Sequence, residues 1–214
     1  MAKRYAILAG LLALVVAATV WFVDRGGIYP TKRINYRFEV TVETPQGFMT
    51  GYSVHRLIVE DLTMTPSRNY HIDLDGEAVP FALPDGRFLF ATMRPRGDVG
   101  MQQLFGITLG RSGHPFSKWI DVAEQFDAPV PAEHFPMLAI IDASKTPETL
   151  RLVEDSAQFK VLEAKIVSTS EPMTDEVSKL LPWLVDAIKA IPSLSTKTTE
   201  HHRLLSALKF GVRS

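Results

Sequence analysis

Hydrophobic and polar positions divide the chain into an apolar leader, a body of short alternating runs and a polar stretch near the end. Residues 5–23, YAILAGLLALVVAATVWFV, are all apolar or small. About 19 such residues are enough to cross a hydrocarbon core of roughly 30 Å. In the body the clearest pattern is NYRFEVTVETPQG. Tyr36, Phe38, Val40 and Val42 alternate with Arg37, Glu39, Thr41 and Glu43, which predicts a strand with one buried face. Pro45-Gln46-Gly47 predicts a turn, and residues 48–59 a second strand. Its alternation drifts at 51–55, as expected for a bulge or for a strand shared by two partners. Further strands are predicted at 70–74, and at 78–83 and 87–93 on either side of Pro84-Asp85-Gly86.

Beyond residue 94 the pattern loosens. Residues 101–109 suit a strand or a helix, with the balance towards helix or irregular structure. Trp119, Ile120, Ala123 and Phe126 recur at helical spacing and predict a helix over 118–126. Residues 137–141 form a short, wholly apolar strand, and Thr146-Pro147-Glu148 opens a helical turn. Residues 160–168 alternate again, with Leu162, Ala164 and Ile166 expected inward. A helix is predicted from Thr174 to Ile191, carrying Val177, Leu180, Leu181, Leu184 and Ile188 on one face, with a break at Pro182. Residues 193–199 are Ser/Thr-rich and read as a linker, followed by a possible short amphipathic helix with Leu204, Leu205 and Leu208 on one side.

These elements predict the α+β class: a mainly antiparallel sheet domain with a few covering helices, preceded by one N-terminal transmembrane helix. The expected organisation is a cytoplasmic n-region (1–4), an anchor (5–23), a linker (24–33), a globular domain (34–192) and a flexible tail (193–214). Lys3 and Arg4 precede the apolar run, and Tyr5, Trp21 and Phe22 sit at its ends as interfacial aromatics do. A secretory signal usually has a shorter core and a small-x-small cleavage site. Cleavage near Ala17-Ala18-Thr19 would leave Val-Trp-Phe-Val at the new terminus, so an uncleaved anchor is the expectation. The chain is then a single-pass inner-membrane protein with its body in the periplasm; release into the periplasm after cleavage is the alternative.

Composition narrows the chemistry. There is no cysteine among 214 residues, which excludes disulfides, thiolate catalysis, Cys-ligated metals and lipid attachment at a signal-peptide cysteine. Lys+Arg number 23 against 24 Asp+Glu, and no basic stripe is interleaved with aromatics, so nucleic acid is not an expected partner. His201-His202 are adjacent and diverge by about 100° on a helix, so they cannot chelate one ion as an i, i+4 pair does. His55, His71, His114 and His134 are isolated. Asp73-Leu74-Asp75-Gly76-Glu77 hints at a calcium loop but lacks the rest of the twelve-residue ligand set and reads as a turn. Ser112-Gly113-His114 is no nucleophile elbow, and the glycines at 97, 100, 106 and 110 fit no nucleotide fingerprint. The acidic pairs Asp73/Asp75 and Glu60/Asp61 read as solvated surface, Trp119 and Trp183 as core. No catalytic, cofactor-binding or metal-binding residue is assigned, and no cofactor is expected.

Taken together, NYRFEVTVETPQG…TGYSV, GEAVPFALPDGRFLFA, PMLAIIDASKTPETLRLVE and EPMTDEVSKLLPWL resemble a family of small proteobacterial proteins with an N-terminal hydrophobic segment, over about residues 36–184. The resemblance implies no activity, ligand or site residue. Two function classes remain: a tethered, non-catalytic binding or scaffolding module with a protein partner, and a periplasmic hydrolase whose site assembles from dispersed residues. A soluble carrier of a small apolar ligand would need an internal cavity.

Overall fold

The structure, a computed structural model, describes residues 31–62, 69–97, 99–109, 125–153, 158–190 and 200–210. The leader lies outside them, and so does the predicted helix 118–126 except for its last two residues, 125 and 126, which are not helical. Among the described residues no helix is long and apolar enough to cross a membrane. The chain divides into two compact units, Met1–Lys32 with Val59–His71, and Arg33–Ile58 with Ile72–Ser214. The first contributes only strand ends to the described residues. The second is a mainly antiparallel α+β domain.

The alternating run at 36–43 lies within β1 (Thr31–Thr44), so the strand begins inside the expected linker. Tyr36, Phe38, Val40 and Val42 are all at most 1% exposed, whereas the residues between them are half-buried or, for Glu43, exposed. A tight turn leads into β2 (Gly47–Leu62); Gly47 has φ 115°, which a side chain disfavours. The remaining strands are β3 (Asn69–Glu77), β4 (Val79–Ala82), β5 (Phe88–Pro95), β6 (Asp127–Pro129), β7 (Pro136–Ile141), β8 (Arg151–Val153), β9 (Lys160–Ser168) and β10 (Lys209–Phe210). They form a sheet in the order β10-β3-β2-β1-β9-β6 and another in the order β4-β5-β7-β8. β2 lies between β1 and β3, the sharing by two partners that its drifting alternation suggested. The drift has a packing cause as well: a Cβ on Gly51 would come within 3.0 Å of Val79 and Phe81 of β4.

Two readings of the strands need correction. Residues 73–77 are not a turn. They are the end of β3, and Gly76 serves a close approach between side chain and backbone rather than a change of direction: a Cβ there would fall 2.6 Å from the His55 ring. In β9 the buried residues are Val161, Ala164 and Ile166, while Leu162 is 39% exposed. Thr41 pairs with Glu163 but Val42 with Val161, so Leu162 is an extra residue at a bulge and the inward phase shifts by one. Leu162→Lys in the full-length chain is therefore expected to change unfolding free energy by less than about 0.5 kcal/mol. A loss of about 2–5 kcal/mol, typical of a truncated core leucine, would restore the inward reading.

The helices are α1 (Met101–Thr108), α2 (Glu176–Leu180), α3 (Leu184–Lys189) and α4 (Glu200–Leu208). Pro182 lacks an N–H and separates α2 from α3 as predicted. The helix starts at Glu176 rather than Thr174 because Thr174 pairs with β2: its N–H donates to the Val54 carbonyl (3.3 Å) and its Oγ1 accepts the Val54 N–H (3.1 Å). On the four-stranded sheet, Phe90, Ala139 and Ile141 pack with Val177, Leu181 and Leu184 and with Leu204, Leu205 and Leu208. Leu89, Ala91, Leu138 and Ile140, on the opposite face, are buried too. Such strands read as continuous apolar runs because both faces are covered.

The last group corrects the flexible tail. Residues 200–210 belong to the core: Leu204, Leu205 and Ala207 are 4% exposed and Leu208 is fully buried. β10 then pairs with Gly76 and Glu77 of β3. The stripe Leu204/Leu205/Leu208 is too short to hold a helix by itself, and the sheet supplies the apolar surface it needs. The expected linker, residues 193–199, lies outside the described residues.

Candidate functional site

The residues that drew attention in the sequence do not converge. His55 is on β2, His134 in a short 3-10 turn (Ala132–His134), and His201 and His202 are half-buried on α4. Asp73 and Asp75 lie on β3. His114, Ser112, Gly113, Gly110 and Trp119 fall outside the described residues, as do the side chains of His71 and Asp61. Trp183 is half-buried and packs against the core cluster, and its indole N–H donates to the Lys145 carbonyl at 2.7 Å. Among the described residues no group of three or more His, Asp or Glu side chains could hold a metal ion.

Three other arrangements carry chemistry. The first is His55, fully buried against Tyr36 (ring centroids 5.2 Å apart) and Phe38 (5.7 Å). Its Nε2–H donates to the Glu77 carbonyl at 2.8 Å, which fixes the tautomer because a carbonyl only accepts. Nδ1 has no hydrogen-bond partner. Burial pushes the imidazole pKa down to about 4 from 6.5, partly offset by the carbonyl. Burial also raises the Tyr36 phenol far above its usual range. Neither group is reachable from solvent, so neither can act on a ligand.

The second is Glu77, 1% exposed at the end of β3. Its carboxylate accepts the Val177 N–H (2.8 Å), the Ser178 hydroxyl (2.5 Å) and the Lys209 ammonium (2.5 Å); Lys209 also donates to Ser178 Oγ at 2.7 Å. A hydroxyl, an amine and a carboxylate in mutual contact invite comparison with a serine–lysine nucleophile. The geometry differs in kind. Both hydroxyl and ammonium donate to one carboxylate, which occupies the ammonium that would have to act as base. Three distant segments, β3, α2 and β10, are tied at this point.

The third is an open cavity of ≈ 640 Å³ lined by Arg33 and Asn35 of β1, Arg56 and Ile58 of β2, and Thr169 and Ser170 just after β9. Odd-numbered residues of β1 face outward, which puts Arg33, Asn35 and Arg37 in one row. Asn35 donates through Nδ2 to the Glu171 carbonyl at 2.8 Å and accepts at Oδ1 from Arg56 Nε at 3.2 Å. Arg56 is thus held by its Nε. Among the described residues no carboxylate pairs with Arg33 or Arg56. The nearby Glu171 carboxylate is taken by Arg37, whose Nε lies 2.9 Å from Oε2 and whose Nη2 binds Oε1. Those hydrogen bonds, and to a lesser degree the guanidinium charge, hold Glu171 below the usual carboxylate range. Thr169 Oγ1 accepts the Glu171 N–H at 3.2 Å, leaving its proton to donate elsewhere.

Sequence reasoning missed this cavity. Arg33 lies in the stretch that reads as a linker, and Asn35, Arg56, Thr169 and Ser170 belong to no motif. The outward row of β1 was visible from alternation alone, but its neighbours come from strands distant in sequence. No protein-family profile, curated protein or solved structure matches the chain.

Proposed function

We propose that the chain is a membrane-anchored, non-catalytic binding module of the cell envelope. Residues 5–23 hold it in the inner membrane, its body faces the periplasm, and the cavity at Arg33 and Arg56 is where it binds. The anchor rests on an apolar run of spanning length behind Lys3 and Arg4. The binding role rests on one observation: among the described residues, the side-chain polar groups lining the cavity are guanidiniums, an amide and hydroxyls, with no acid or imidazole to move a proton. The motif resemblance fits such a module without adding a ligand.

One observation favours a second reading, a hydrolase built from dispersed residues: the contact among Ser178, Lys209 and Glu77. The two readings separate in one experiment. Membranes containing the full-length chain are washed with carbonate, and the detergent-extracted protein is offered nitrophenyl esters, nitrophenyl phosphates and peptide anilides. The expected result is a chain that stays in the washed membrane and releases no more product than its Ser178→Ala variant. Turnover that disappears in Ser178→Ala would establish the hydrolase. Recovery of the chain in the soluble fraction would remove the anchor.

A further inference from the structure

The basic cavity also says what kind of ligand it would take, an inference that rests on the binding role proposed above. Two guanidiniums share one open concavity, and the nearby Glu171 carboxylate, the acid closest in sequence to its lining residues Thr169 and Ser170, is already engaged by Arg37. The cavity therefore keeps the charge of both Arg33 and Arg56. Elsewhere on this surface arginines meet carboxylates directly, as Arg87 meets Asp85 and Arg37 meets Glu171 and Glu39. Lining one cavity with two guanidiniums that have no carboxylate partner among the described residues is unfavourable unless an anion fills the space.

The geometry also orders the site before any ligand arrives. The Glu171 carbonyl holds the Asn35 amide, and the Asn35 oxygen holds Arg56 Nε. This relay uses Arg56 Nε and, among the described residues, keeps both terminal Nη groups for a ligand. Thr169 Oγ1, having accepted the Glu171 N–H, offers its own proton, and Ser170 is exposed beside it. Donors of two kinds, planar forks and rotatable hydroxyls, are thus arranged around one space. A carboxylate offers two oxygens in one plane and is satisfied by a single arginine fork. A phosphate offers oxygens in three dimensions and takes both. We propose that the cavity binds the phosphate group of a small molecule or of a lipid headgroup, with Arg56 as the fixed donor and Arg33 as the mobile one.

The test uses the full-length chain in dodecyl maltoside and reads its melting temperature at constant ionic strength. Inorganic phosphate, glycerol phosphate and short-chain phosphatidylglycerol are titrated separately, with acetate as the control anion. At least one phosphate compound should raise the melting temperature saturably where acetate does not. Arg33→Gln should weaken that response about tenfold, the loss of one charged hydrogen-bonding group. Arg33 is exposed and makes no ion pair among the described residues, so this variant leaves the fold intact; Arg56→Lys provides a second variant that keeps the charge but loses the fork. A response to phosphatidylglycerol alone identifies a lipid headgroup, and a response to all three identifies a free phosphate compound. Equal responses to acetate and phosphate, no response at all, or an unchanged response in Arg33→Gln would overturn the proposal. None of those results bears on membrane retention or turnover, so the anchor and the non-catalytic reading would stand or fall separately.

Discussion

Glu77→Ala is expected to destabilise the domain by about 3–5 kcal/mol, the cost of breaking a buried ion pair by removing one partner. The carboxylate is 1% exposed and satisfies four donors: the Val177 and Ser178 N–H groups at the start of α2, the Ser178 hydroxyl and the Lys209 ammonium. Removing it leaves an ammonium, only 22% exposed, without its counter-charge, and leaves the start of α2 without an acceptor. It also cuts the tie between β3 and the C-terminal strand. Loss should therefore be larger than for Lys209→Met, which removes the charge but leaves Glu77 bonded to Val177 and Ser178. Urea unfolding of the two full-length variants, followed by tryptophan fluorescence, makes the comparison. Equal and small losses, below about 1 kcal/mol, would mean that the contacts are peripheral and that the C-terminal segment docks by its leucines alone.

Acid should weaken the fold through His55. Burial sets its folded pKa at about 4, below the ordinary 6.5. The unfolded chain takes up a proton below about pH 6.5, whereas the folded chain resists until about pH 4. Stability contributed by the neutral ring is thus complete above 6.5 and lost as pH falls through that window, by about 1.4 kcal/mol per pKa unit or ~3 kcal/mol in all. The structural cause is plain. Nε2–H is occupied by the Glu77 carbonyl, and a proton on Nδ1 would have no hydrogen-bond acceptor, with the rings of Tyr36 and Phe38 packed against the imidazole. His55→Gln keeps an amide donor for the carbonyl and cannot titrate. Its unfolding free energy, measured at pH 7 and pH 4.5, should fall by about 2 kcal/mol less between those values than that of the parent. An identical fall in both would show that other groups govern the acid response.

Alternation and turn chemistry alone determined where most strands lie. Tyr36, Phe38, Val40 and Val42 face inward because side chains of a strand alternate, and that period is written locally. The same holds for the break at Pro182, which follows from a missing N–H. Leu162 shows the limit of the pattern. A single bulge against β1 reverses the phase, and a bulge is a property of two strands together. The C-terminal helix shows another. Its leucine stripe is legible, but whether it lies free or in the core depends on whether a sheet face is available to receive it, and Phe90, Ala139 and Ile141 of three-dimensional neighbours decide that. The chemistry was hardest to read for the same reason. Glu77, Ser178 and Lys209 are 101 and 31 residues apart along the chain, and the cavity joins β1, β2 and the end of β9. Residue type and spacing carry catalytic meaning only when a motif is local. Here each charged side chain looks like ordinary surface in sequence, and only the tertiary structure decides which of them are buried, which are neutralised, and which two arginines are left facing an open space.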